Sequence, residues 1–391
     1  MDYVIQLPDR ELFKRCRRAW DFGARTRRNL EPSARPAGVE AGQVIDRALR
    51  EALAVYYFPG MWDWQPAIVV PLVHQAYDRS VREQTAGREL TARQEEAVRG
   101  GRRLLERYAA WASSVDRFAP VRVASDVDVQ VPDPRAPENG LVTTDRRAIR
   151  YLDRVDVLVI DEHNAYWVLS HRVVAGDWPE TEALLLDEQA VAWCWAWELF
   201  YPGMQVLGTI YNELRIGGAE AAGQDHAGPG GAGSGGSEPR MPGGLPPGMP
   251  AARSAVTQHR QAYAPPTQAH QPPPGSPRIS QRSDGPFRRT QIRRARAELA
   301  GFGARLALEA ADMTDPGLPL YPNPSPVNCA ACAYQAPCIA VNEGTGAEEV
   351  LAGSYRVRPP PPVEEGRLGG NTWSFGRGAA PPRFGREGGD G

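Results

Sequence analysis

Apolar residues recur at three- and four-residue steps through roughly the first 115 positions and at every second position just beyond them. This change of period confines the chain to architectures that combine helices with a sheet. Leu12, Phe13, Cys16 and Trp20 predict a short helix over 9–22, and Val44, Ile45, Ala48, Leu49, Ala52, Leu53 and Tyr56 form one stripe of a second helix over 39–58. Further helices are predicted over 64–84 and 92–115, the latter on Leu104, Leu105, Tyr108 and Trp111. Val121, Val123, Ser125, Val127, Val129 and Val131 then alternate with polar neighbours, the pattern of a half-buried strand. Strands over 149–160 and 165–174, separated by the turn-forming Asp161-Glu162-His163-Asn164, complete a meander. A helix over 181–200 stops at Tyr201-Pro202-Gly203, a strand fills 204–215, and Phe287 to Met313 reads as one long Arg-rich helix. The expected fold class is α/β, a mixed sheet flanked by helices with a helical N-terminal part.

Much of the Gly and Pro, 40 and 37 residues, falls in two segments poor in large apolar side chains, 216–286 and 343–391. The first reads as a flexible linker and the second as a disordered tail. Residues 1–215 and 287–342 then build one domain, the second stretch closing what the first begins. A composition of 42% hydrophobic and 24% charged residues argues against wholesale disorder and against a fibrous protein. The longest apolar run, Ala67 to Val73, contains Pro71 and is too short to cross a bilayer. With no secretory signal visible at Met1-Asp2-Tyr3, the expected location is the cytoplasm, without a membrane partner.

The net charge of −2 conceals an uneven distribution. Between residues 10 and 28, Arg10, Lys14, Arg15, Arg17, Arg18, Arg25, Arg27 and Arg28 face only Glu11 and Asp21; between 288 and 305, Arg288, Arg289, Arg293, Arg294, Arg296 and Arg305 face only Glu298. Lys14 is the sole lysine of the chain.

Cys329-x2-Cys332-x5-Cys338 is the most specific local motif. Two thiolates two residues apart chelate one metal centre, and a third five residues on closes most of a tetrahedral set. Of the two remaining cysteines, Cys194 lies in apolar Trp193-Cys194-Trp195, whereas Cys16 lies on the basic N-terminal helix and is the better fourth ligand. On spacing alone, zinc and an iron-sulfur cluster are both open. A disulfide framework is disfavoured by the odd count of five.

One N-terminal cysteine, an α/β core and a C-x2-C-x5-C near the end together resemble the iron-sulfur subset of RecB-type PD-(D/E)XK nucleases. That subset includes the AddB nuclease domain and the CRISPR-associated adaptation nucleases. The resemblance covers most of residues 9–342 outside the linker and implies a nuclease-like fold. It also implies a 4Fe-4S cluster on Cys16, Cys329, Cys332 and Cys338 that staples the two ends of the domain. Stapling would draw the two Arg-rich segments together, so Arg15, Arg17, Arg18, Arg289, Arg293 and Arg294 become candidate DNA contacts. The competing expectation is a pair of solvated helix faces with local Arg-carboxylate pairing.

Carried along the core, the resemblance places Asp46 of Gly42-Gln43-Val44-Ile45-Asp46 where the family has a metal-binding His. Asp153 of Tyr151-Leu152-Asp153-Arg154-Val155-Asp156 matches the metal-binding aspartate. Ser170 and Arg172 of Trp167-Val168-Leu169-Ser170-His171-Arg172 stand in place of the acid and the lysine of the acid-x-Lys motif. Gln189 and Trp193 match the Q-x3-Y motif, with Trp for Tyr. Hydrolysis of a phosphodiester in such a site requires a divalent ion on carboxylates and a lysine beside the attacking water. Ser170 removes one of those charges, and Arg172 cannot become a neutral base. Asp46 and Asp153 are left as candidate ligands for Mg or Mn. Three functions follow as expectations: a nuclease-like iron-sulfur protein that binds DNA or a DNA-processing partner with impaired or absent cleavage, an active metal-dependent DNA nuclease, and a zinc-stabilised interaction module.

Overall fold

A computed structural model describes residues 2–33, 41–85, 89–216 and 278–359. The expectations of a linker and a tail over 217–277 and 360–391 lie outside the described residues. In chain order, strand β1 (Tyr3–Gln6) leads into helices α1 (Leu7–Arg15) and α2 (Arg17–Gly23), then β2 (Leu30–Pro32) and the helices α3 (Ala41–Tyr56), α4 (Pro66–Thr85) and α5 (Ala92–Val115). The strands β3 (Phe118–Gln130), β4 (Pro132–Asp133), β5 (Ala136–Gly140), β6 (Ile149–Asp161) and β7 (Tyr166–Ala175) follow, then α6 (Thr181–Leu185), α7 (Glu188–Phe200) and β8 (Val206–Ile216). The last part holds β9 (Ile279–Asp284), β10 (Phe287–Arg293), α8 (Arg296–Thr314), α9 (Pro326–Cys329), α10 (Gln335–Glu343), α11 (Ala347–Ser354) and β11 (Tyr355–Val357).

The main sheet is mixed, in the order β1-β6-β7-β8-β10-β9 with β3 also paired to β6. β3, β6 and β7 form the antiparallel meander, and α7 crosses from β7 to the parallel β8. Each face buries its own apolar layer. Trp193, Trp195, Trp197, Phe302 and Leu306 of α7 and α8 cover one face through Tyr151, Leu158 and Val168. Ile45, Leu49, Leu53, Val73, Tyr77 and Leu105 of α3, α4 and α5 cover the other through Val157, Val159 and Leu169. Strands covered on both faces lose their clean alternation, which is why Trp167, Val168 and Leu169 are all buried.

Four sequence expectations are corrected. The helix over 9–22 is broken at Cys16, whose backbone is extended (φ −163°, ψ 111°) between α1 and α2. The stretch from Phe287 begins as a strand, β10, and turns helical only at Arg296, because Arg288 and Arg289 are inside the protein and not on a solvated helix face. The end of the expected linker forms β9, antiparallel to β10. The beginning of the expected tail forms α11 and β11, and β11 pairs with β2 near the other end of the chain.

Candidate functional site

β6 and β7 pair only between Val157–Leu169 and Ile160–Tyr166 before they separate. On the same side of β6, β1 pairs with Ile149 to Leu152. Residues 153–156 therefore sit at a fork, bounded by one strand above and another below. The resemblance had singled out this stretch and the facing 170–172.

Asp156 closes the apex, where its Oδ2 accepts the backbone N–H of His171 at 2.8 Å. The same oxygen accepts from Arg50 Nη1 at 2.8 Å, while Arg50 Nε donates to Asp46 Oδ2 at 3.0 Å. A guanidinium thus bridges the two carboxylates. Burial opposes the charge on Arg50, but Asp156 and Asp46 outweigh it and hold its pKa above the ordinary value. Asp46 and Asp153, expected to share an ion, are not brought together. Asp46 reaches Asp156 from α3, whereas Asp153 turns to α7 on the other face.

Asp153 is spoken for as well. Its Oδ2 accepts from Tyr151 Oη at 3.0 Å and from Trp193 Nε1 at 2.8 Å, and its Oδ1 accepts from the Arg154 amide at 2.8 Å. Burial raises its pKa in spite of those three donors. Ser170 is buried in β7, and Arg172 forms an ion pair with Asp187. Asp187 caps α7, taking the backbone N–H of Gln189 at 3.1 Å, and also accepts from Tyr211 Oη at 3.0 Å. Asp153, Ser170, Arg172 and Gln189 therefore lie along the α7 side of the fork, where Asp153 and Arg172 are both matched by protein groups.

Arg50 and Asp187 were missed in the sequence. Asp46 and Arg50 stand one helical turn apart, the spacing of a side-chain pair, and Asp187 directly precedes the apolar run of α7, the position of an N-cap.

His171 faces the α3 side, its ring 5.5 Å from Tyr57 and its Nδ1 2.8 Å from Asn212 Nδ2. Burial, then Arg50 and Arg289, depress its pKa well below 6.5. Its neutral form is therefore favoured by folding. That stability is fully present above the unfolded value and is lost as the pH falls below it, because the unfolded chain then binds a proton that the native chain refuses. Between pH 7.5 and 5.5 the wild type is expected to lose about 1.4 kcal/mol more than His171→Gln. Urea unfolding at the two pH values checks this, and parallel losses would remove His171 as the source.

The Arg-rich segments are corrected in a second respect. Arg289 and Arg294 are buried and cannot lie on a DNA-facing surface. Arg289 pairs with Asp116 and donates to Tyr57 Oη, Tyr108 Oη and Asn212 Oδ1 at 3.1 to 3.2 Å. Arg294 donates to the carbonyls of Leu184 and Leu185 and to Tyr211 Oη. Closer to the surface, Arg17 meets Asp312 at 3.4 Å and Arg18 donates to Asn342 Oδ1 at 2.6 Å. Arg15 is exposed, and Arg293 is partly exposed at the end of β10. Arg17 and Arg289 meet carboxylates far away in the chain, so local pairing on a solvated helix face does not describe them either.

The cysteine segment docks on the corner between α1 and α2. Cys16 and Cys332 pack into one apolar cluster with Ala19, Phe22, Tyr334 and Leu351. Cys338 Sγ lies 3.6 Å from Arg18 Nη1, and Asn323 Nδ2 donates to the Arg15 carbonyl at 3.0 Å. Tyr334 is the latch. Its hydroxyl donates to the Leu30 carbonyl at 2.7 Å, and its ring lies so close to Gly23 that a Cβ there would fall 2.4 Å from the hydroxyl oxygen. Cys16, Cys329, Cys332 and Cys338 are all half-buried free thiols. Their chemistry suits a thiolate-bound metal centre. Among the described residues no three His, Cys, Asp or Glu side chains already converge into a metal-binding set. Cys194, by contrast, is buried beside Thr209, and burial pushes its thiol up to about 12.

Among the described residues no helix is long and apolar enough to cross a membrane. Comparison with known proteins finds no matching family model and no matching curated protein.

Proposed function

We propose that this chain is a nuclease-like protein whose catalytic fork has been retired and which acts by binding DNA or a DNA-processing partner, without hydrolysis. One observation carries the reading: the carboxylates that would hold a divalent ion hold protein groups. Arg50 lies between Asp46 and Asp156, and the oxygens of Asp153 accept three donors. Mg or Mn would have to compete with a guanidinium that already bridges Asp46 and Asp156 through one oxygen of each. The neutral Ser170 and the Arg172–Asp187 pair point the same way. Pairing of the arginines within the protein favours a protein partner over bare DNA.

In this reading Cys16, Cys329, Cys332 and Cys338 would hold a 4Fe-4S cluster. When bound, it would supply a structural cross-link between the N-terminal corner and the C-terminal segment. The shared packing of Cys16 and Cys332 supports that assignment.

The test is a gel experiment on anaerobically purified protein with single- and double-stranded DNA and Mg or Mn, scored for cleavage and for shift, alongside iron and zinc analysis. The expected result is no cleavage above that of Asp153→Ala, with iron in the sample. Cleavage that disappears in Asp153→Ala would establish the active-nuclease alternative, and zinc without iron would establish the zinc module. A shift without cleavage would assign DNA itself as the partner.

A further inference from the structure

Away from the fork, α4 and α5 enclose an open cleft of about 430 Å³, within the size range of small-molecule sites. Its wall changes character along its length. Val70 and Pro71 give an apolar end, while His74, Asp78, Arg82 and Arg102 make the other end polar.

The charges in the cleft do not cancel. Arg102 and Asp78 form an ion pair across the two helices. Arg82 lies one turn beyond Asp78, is exposed, and has no carboxylate partner among the described residues. The neighbouring residues outside that set, Ala86, Gly87 and Arg88, include no acid. Glu106, the other acid whose charge reaches His74, does not line the cleft. One positive charge is left over, beside a second cation already oriented by its own partner.

His74 supplies the observation that distinguishes this cleft from an ordinary surface groove. It is only 8% exposed, and its Nδ1 is buried with no hydrogen-bond partner. A ring proton on Nδ1 would be a buried donor with nothing to receive it, a costly arrangement. Nε2 is not closed off in this way, and the tautomer with its proton there offers the cleft a neutral N–H donor. Burial and the neighbouring Arg102 both depress its pKa and keep the ring neutral.

We infer that this cleft binds a small molecule with an anionic head group, phosphate or carboxylate, on a flat apolar body. Arg82 and Arg102 take the head, the His74 N–H adds a neutral hydrogen bond, and Val70 and Pro71 contact the body. The inference is independent of the retired fork, since no residue of the cleft belongs to it.

The experiment is isothermal titration of the full chain with phenyl phosphate, benzoate and phenol. Saturable binding of phenyl phosphate or benzoate is expected, with the tighter of the two identifying the head group. Binding should weaken about ten-fold or more in Arg82→Ala, the loss typical of a hydrogen bond to a charged group, and should also weaken in His74→Phe. Arg82 is exposed, so its variant tests the site without disturbing the core. Failure of both anions to bind, equal binding of phenol, or undiminished affinity in Arg82→Ala would overturn the inference.

Discussion

Arg289→Met is expected to destabilise the protein by about 3–5 kcal/mol, the usual consequence of removing one partner from a buried ion pair. Arg289 and Asp116 are 6% and 3% exposed. Without the guanidinium, Asp116 keeps the Tyr57 hydroxyl at 2.9 Å but loses the buried countercharge of Arg289. The hydroxyls of Tyr57 and Tyr108, 2.6 Å apart, also lose the donor that organises them. Urea unfolding measures the loss. Arg289→Met combined with Asp116→Leu should recover a large part of it, because a buried pair replaced as a unit by apolar groups leaves no uncompensated charge. A change below about 1 kcal/mol in the single variant, accompanied by weaker retention on DNA, would return Arg289 to the role of a phosphate contact.

The second large effect is expected at the cysteine corner. Tyr334 is 6% exposed, lies against Gly23, and stacks on Tyr355 at 5.7 Å. Truncating a buried aromatic costs about 3–5 kcal/mol, and here the cost falls on the docking of one segment and not on the main sheet. Tyr334→Ala should therefore raise the undocked population of residues 326–357 about a hundred-fold or more. The readout is limited proteolysis, with cuts appearing first in that segment while the core fragment survives. Gly23→Ala should act in the same direction, since its Cβ would displace the ring. Unchanged proteolysis in Tyr334→Ala would mean that the segment is held by other contacts.

Elements governed by apolar periodicity were legible in the sequence. The helices from Ala41 to Val115, the meander and the α7 crossover follow from patterns that burial enforces locally. Phe287 to Arg293 was not legible, because arginine in a sequence ordinarily marks a surface position. Inside this fold Arg288 meets Glu213 through two bonds of 2.6 Å, and Arg289 meets Asp116 from a distant part of the chain. Satisfaction of a buried charge by a partner some 75 or 173 positions away leaves no local trace.

The contacts at the fork were not legible in the sequence. The structure places Asp153, Ser170, Arg172 and Gln189 on the α7 side of the β6–β7 separation. Whether Asp153 and Asp156 lie beside β7 or beyond it depends on where β6 and β7 separate, which is a property of strand register. Only in three dimensions does Asp46 meet Asp156 through Arg50.

The sheet order also sets a requirement on the connection between Ile216 and Arg278. β9 and β8 each run antiparallel to β10 and therefore parallel to one another, with β10 between them. Through Ile292, the first residue of β9 lies level with Thr209, seven positions before the end of β8 at Ile216. The chain must therefore travel back about 23 Å along the sheet and about 10 Å across it before β9 can begin. No tight turn can make that journey, and parallel strands need a connection of about a dozen residues or more. Whatever else the intervening residues do, they serve as a return path with a minimum length. Shortened below that limit, the connection can no longer reach the start of β9, and the edge strand is lost.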